Sequence, residues 1–325
     1  MPELAVRLGE LPLKHPVMCG SGEHLADAEG LRAAVDAGAA AVVAKSANES
    51  ESARRQWEVR QHTMIGDSYF NRSGLVPVPW EDWLETLAAA DAYAREHGSY
   101  VVASLIPGGP AALPGLAADV EAAGLRWLEL NLSAPHSGES RPGSVARAHG
   151  AAEAAAATAA VREAISIPLT VKLTGESGDV LALARAAREA GADHVAMIGR
   201  HMAFMPDLET RRPVLGTFGA IGGPWGLPLA LRWVAKTRLA LGADVPLIGT
   251  NGARSGGDVA RFLLAGATAV QVATSVIVEG FGAVNRLVEE LRVYLTEQGV
   301  DAQDIVGEAA DAAMTYEEVG VRTQR

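Results

Sequence analysis

The sequence predicts an α/β fold, a single (β/α)8 barrel domain spanning residues 1–325. Three observations predict it. Short β-branched apolar runs alternate with Ala/Leu-rich helical runs, eight times over. The apolar runs are continuous, so each strand is buried on both faces, as in a parallel sheet. Eight βα units in one pass, with no long interruption, favour closure into a barrel over the alternative, a doubly wound open sheet. A chain of 325 residues has the length of two average domains, but barrels of this size are routinely one.

The elements follow in order. Leu4–Pro16 alternates around Gly9 and Leu11-Pro12 and reads as a hairpin capping the bottom of the barrel. Barrel strands are predicted at 16–20, 40–45, 100–105, 127–132, 168–173, 193–198, 245–249 and 268–273. Helices are predicted near 26–37, 79–97, 112–124, 150–166, 178–190, 226–241, 256–265 and 281–298. Four of them close on glycine (Gly38, Gly98, Gly124 and Gly191), which takes the left-handed conformation that ends a helix. Two insertions break the pattern, 46–78 after strand two and 199–225 after strand six. Both fall on the C-terminal face, where barrels build active sites, and both read as long binding loops or lids.

Composition narrows the classes. Hydrophobic residues make up 49% of the chain, enough for a large core, yet no apolar run reaches the ~20 residues of a membrane span. No secretory signal is visible, and a cytoplasmic enzyme is expected. The formal charge is −11, which argues against a nucleic-acid partner. Cys19 is the only cysteine, which excludes an internal disulfide and any iron–sulfur cluster ligated by this chain alone. No metal site is expected. The expected partners are a small-molecule substrate and a second copy of the chain in a homodimer, with a separate electron-transfer partner left open.

Residues 129–136 read Glu-Leu-Asn-Leu-Ser-Ala-Pro-His, where a buried strand turns into a loop. Further segments recur in order: Met18-Cys19-Gly20-Ser21-Gly22, Lys45-Ser46, Phe70-Asn71-Arg72-Ser73-Gly74-Leu75, Val171-Lys172-Leu173, Gly219-Ala220-Ile221-Gly222-Gly223, Gly249-Thr250-Asn251-Gly252 and Gln271-Val272-Ala273-Thr274. Together they resemble the dihydroorotate and dihydropyrimidine dehydrogenase family, from Pro16 to about Gly280. Any one of these motifs is weak; seven in register are specific. The resemblance implies FMN as cofactor and hydride transfer between flavin N5 and a small cyclic or unsaturated substrate. It implies that Gly20 and Ser21 pack on the flavin, and that Lys45 and Ser46 lie near its ring. Asn71 belongs to the substrate loop, Asn131 contacts flavin and substrate, and Lys172 sits at the flavin N1–C2=O edge. Gly222, Gly223, Asn251, Gly252, Ala273 and Thr274 then form the phosphate-binding turns.

Elementary physics supports these roles. A reduced flavin carries negative charge at N1–C2=O, which a fixed ammonium such as Lys172 stabilises. Leu169, Val171 and Leu173 place that lysine in the barrel wall, and Val42-Val43-Ala44 do the same for Lys45. Glycine offers backbone N–H groups to a phosphate with no side chain in the way.

The chain departs from the family at two places. The fourth position of the N-[LV]-S-[CS]-P-[NH] signature, a Cys or Ser base in the family, is Ala134, which has no titratable atom. At strand six the Asn-Ser or Asn-Thr pair of the orotate-handling members is replaced by Ala196-Met197. Buried polar groups of dihydroorotate would go unpaired there, at ~1–3 kcal/mol each, so dihydroorotate is not the expected substrate. His136 is a candidate acid or base, with a neutral hydrogen-bonding histidine slightly favoured. Ser133 is expected to point away from the side of Ala134. His201 reads as an exposed loop histidine, Cys19 as a core thiol, and Arg211-Arg212 as a solvated pair or an anion clamp. The leading expectation is an FMN-dependent oxidoreductase acting on CH–CH groups, with Lys45, Asn71, Asn131, His136 and Lys172 in the catalytic set. The alternatives are a dihydropyrimidine dehydrogenase-like or dihydroorotate dehydrogenase catalytic subunit with an atypical base, and a flavin-binding protein without turnover.

Overall fold

The computed structural model describes residues 2–108, 111–133 and 150–322. Ala134 and His136 lie outside the described residues. Strands β1 (Val6–Leu8) and β2 (Leu11–Leu13) pair antiparallel with Arg7 opposite Pro12, forming the expected hairpin. The C-terminal segment ties it down: Glu3 N donates to Asp301 Oδ1 at 2.8 Å, and Arg7 N to Gln303 Oε1 at 2.8 Å.

Next come β3 (Val17–Cys19) and β4 (Ala41–Val43), then β5 (Gln61–Ile65) and β6 (Ser68–Arg72) in the first insertion. The chain continues through β7 (Tyr100–Leu105), β8 (Leu128–Asn131), β9 (Leu169–Lys172) and β10 (His194–Met197). The second insertion carries β11 (His201–Ala203) and β12 (Gly219–Gly222); β13 (Leu247–Thr250) and β14 (Ala269–Val272) complete the set. Eight parallel strands close a barrel in sequence order, β3-β4-β7-β8-β9-β10-β13-β14, with β14 returning to β3. Val42, Val101, Leu128, Leu169, Val195, Leu247 and Val270 are fully buried, as the continuous apolar runs require.

All eight predicted helices form: Ala28–Asp36, Trp80–Glu96, Leu113–Ala122, Ala151–Ala164, Val180–Glu189, Leu227–Leu241, Gly256–Leu264 and Gly282–Gln298. Gly38, Gly98, Gly124 and Gly191 all take positive φ behind their helices. The helix Gly256–Leu264 starts on a capping box: Ser255 Oγ accepts from Asp258 N at 3.1 Å, and Asp258 Oδ2 accepts from Ser255 N at 3.1 Å. Ser255→Ala should cost about 1 kcal/mol, seen as a loss of roughly 2 °C in melting temperature. An unchanged thermal melt would show that the cap carries no stability.

The insertions differ from their expectation as loops. They join in one antiparallel sheet, ordered β11-β12-β6-β5, above the barrel mouth. Ala220 pairs with Asn71, and His201 with Ile221. Two segments more than a hundred residues apart satisfy each other's backbone groups, which a loop would leave to water. Gly219–Gly222, expected as a phosphate turn, is therefore a strand.

Candidate active site

The C-terminal ends of the barrel strands and the inserted sheet enclose a cavity of about 530 Å³. That volume lies in the ~300–1,000 Å³ range of small-molecule sites.

Polar side chains from inside the barrel make its floor. Lys172, at the end of β9, is 8% exposed, and its Nζ donates to Gln271 Oε1 at 2.7 Å. Gln271 Nε2 donates in turn to Glu129 Oε2 at 2.7 Å, and Glu129 is fully buried. Ser104 Oγ donates to Glu129 Oε1 at 3.3 Å and shares a 2.9 Å hydrogen bond with Ser46 Oγ. Asn131 Nδ2 donates to Ser46 Oγ at 3.3 Å, while Asn131 Oδ1 accepts from Ser133 Oγ at 2.7 Å. Burial pulls the Lys172 ammonium below the usual lysine range, and Glu129, 3.9 Å away, pulls it back.

A second cluster forms one wall. Lys45 Nζ donates to Ser73 Oγ at 2.7 Å and lies 3.3 Å from Glu23 Oε1. Ser73 Oγ donates to Glu23 Oε1 at 2.6 Å, and Asn71 Nδ2 donates to the same oxygen at 3.0 Å. Arg200 donates to Asn71 Oδ1 from the far side. Burial alone would raise the Glu23 carboxyl; Lys45, Arg200 and Ser73 outweigh it and hold the group well below the usual carboxylate range. Burial likewise lowers Lys45, and Glu23 opposes that.

The opposite end is backbone. Gly20, Gly223 and Gly252 line the cavity and can do so only with main-chain atoms. Asn251 (φ 78°) and Gly252 (φ 107°) both sit at positive φ, and a Cβ at Gly252 would run into the backbone of Leu227. Ala273 and Thr274 line the same end, where the helix Thr274–Glu279 begins. An ion pair from Arg254 Nη1 to Asp67 Oδ2, 2.7 Å, joins the β5–β6 turn to the segment after β13 at the cavity edge.

A dihydroorotate dehydrogenase family model matches residues 3–295. The chain is 32% identical to the catalytic subunit of dihydroorotate dehydrogenase B (NAD(+)) of Pyrococcus furiosus, over 94% of this chain and 98% of that one. It is 35% identical to the same subunit of Methanopyrus kandleri, over 92% of each chain. It belongs to the dihydroorotate dehydrogenase family. It is a member of that flavin oxidoreductase family, an enzyme acting on CH–CH groups.

Eleven of the residues singled out in the sequence of this dihydroorotate dehydrogenase homologue line the one cavity: Gly20, Ser21, Lys45, Ser46, Asn131, Lys172, Gly223, Asn251, Gly252, Ala273 and Thr274. Two stand behind it. Asn71 is 1% exposed, its amide spent on Glu23 and Arg200. Gly222 is held in β12 opposite Tyr69, because the inserted sheet claims its backbone. Ser133 lines the cavity; its expected orientation relative to Ala134 lies outside the described residues. His201 is not an exposed loop residue: it sits half-buried in β11, 5.5 Å from the Trp225 ring. Cys19 is buried outside the cavity lining, its thiol 3.5 Å from His24 Nε2 and pushed up by burial. Arg211 and Arg212 are exposed on a turn away from the cavity.

Sequence reasoning missed Glu23, Arg200, Glu129 and Gln271 as site residues. The signal for Glu129 was present: an acid between Leu128 and Leu130 in a strand buried on both faces requires a partner. Nothing local marked Glu23 or Arg200, which meet only through the inserted sheet.

Proposed function

We propose that the chain holds FMN in this cavity and transfers hydride between it and a small cyclic or unsaturated substrate other than dihydroorotate. The observation that carries the reading is the buried Lys172 ammonium at the cavity floor, opposite an end lined by glycine backbone. That donor set suits FMN: a cation for the N1–C2=O edge, Asn131 and Lys45 beside the ring, and the turns at Gly223, Gly252 and Thr274 for the phosphate. The flavin supplies the two-electron chemistry when bound. The protein's own residues orient substrate and fix charge. Lys45 Nζ lies 3.3 Å from Glu23 Oε1, and the Ser73 hydroxyl lies between them. The cavity presents these groups to a substrate, and Met64, Gly66 and Asp67 of the β5–β6 hairpin add to its lining.

The matched relatives are named as catalytic subunits, which supports a separate electron-transfer partner here as well. We take the working form to be a cytoplasmic homodimer. A second reading, dihydroorotate oxidation with an atypical base, is favoured by those same relatives and is tested below. The decisive experiment on the cofactor is simple. Protein purified from the soluble fraction should be yellow and release one FMN per chain on heating, identified by mass. Light scattering on the same sample should give twice the chain mass. Colourless protein that takes up no added FMN removes the reading.

A further inference from the structure

Two opposite charges are stacked in the barrel under the proposed ring site. Lys172 faces the cavity; Glu129 lies beneath it, fully buried, 3.9 Å from the ammonium. Gln271 bridges them, its Oε1 on Lys172 and its Nε2 on Glu129, both at 2.7 Å. An ammonium only donates and a carboxylate only accepts, so the bridging amide fits one way round. The bridge places the Glu129 carboxylate behind the Lys172 ammonium.

We infer that Glu129 is the counter-charge of the flavin site: it anchors Lys172 through Gln271 and makes the bound flavin harder to reduce than Lys172 alone would. The inference rests on the FMN reading above and adds a role to a residue that does not itself line the cavity. Its basis is charge and geometry. A carboxylate in a dry interior is weakly screened, so its field reaches the ring site. It opposes the negative charge gained on reduction, the charge that Lys172 favours. A buried acid is expensive unless paired, and here it accepts from Ser104 and Gln271 with the Lys172 ammonium 3.9 Å away.

The test is the flavin midpoint potential of Glu129→Gln at fixed pH. The isosteric amide keeps the network: its oxygen accepts from Gln271, its NH₂ donates to Ser104, and Ser104 donates to Ser46. The expected result is at least a tenfold gain in preference for reduced over oxidised flavin, read as a rise of about 30 mV for a two-electron couple. An unchanged or lowered potential in yellow, folded protein overturns the inference and leaves the FMN reading standing. Should Glu129→Gln fail to fold, the comparison moves to Lys172→Gln against Lys172→Gln/Glu129→Gln. The double variant should again lie at least tenfold toward reduced flavin, and equal potentials would overturn the inference. Protein that takes up no flavin in any form overturns the FMN reading and this inference with it.

Discussion

Lys172→Ala is expected to lower the flavin midpoint potential by about 60 mV and to destabilise the fold. The first effect follows from position. Lys172 is the cation at the cavity floor, 8% exposed and oriented by Gln271. A preorganised donor at a site of developing charge is worth roughly 3 kcal/mol, and for a two-electron couple about 1.4 kcal/mol corresponds to 30 mV. The second effect follows from what remains. Without Lys172, Glu129 keeps its bonds from Ser104 and Gln271 but loses its counter-charge in a dry interior. Breaking a buried pair from one side typically costs ~3–5 kcal/mol. Spectroelectrochemistry and a thermal melt read the two effects separately. A normal potential in folded, flavin-loaded protein would mean that the ammonium does not face the N1 edge.

The barrel was legible because its determinants are local. Ala41–Val43 and Leu169–Lys172 are apolar or β-branched runs bounded by helical periodicity, and each proved wholly buried. Gly38 and Gly191 marked helix ends through a conformation that other residues avoid. The inserted sheet was not legible because its pairing is remote. Gln61–Ile65 is largely exposed and polar, with no strand signature of its own, and β12 finds β6 across the barrel mouth. A run of glycines at 219–223 reads as a turn until a partner strand is known. The same distance hid part of the site. Lys45 and Lys172 were legible because they fall in the family's motifs and each ends an apolar run. Glu23 and Arg200 were not, because an acid in a short turn and an arginine after a strand are ordinary until the fold brings both to Asn71.

Dihydroorotate is expected to reduce the flavin of this protein slowly, and Ala134→Cys alone is not expected to restore full activity. Removing a proton from carbon while hydride leaves needs a base, and alanine has none to offer; general base catalysis typically contributes ~10²–10⁴-fold. The second half of the prediction rests on β10. Ala196 and Met197 are fully buried at the position where the orotate-handling members place an amide and a hydroxyl. A thiol at position 134 would return a proton acceptor but no anchor for the pyrimidine edge. Misplacement of about 1 Å at the reacting atoms can cost ~10²-fold. Anaerobic flavin bleaching by dihydroorotate, compared between wild type and Ala134→Cys, measures both. Fast bleaching of the wild type would establish the dihydroorotate reading and an unrecognised base. His136, outside the described residues, and Ser73, with its hydroxyl between Lys45 and Glu23, would then be the first two replacements to make. Fast bleaching of Ala134→Cys alone would instead show that Ala196 and Met197 leave room for the pyrimidine to seat correctly, so that the base was the single element missing.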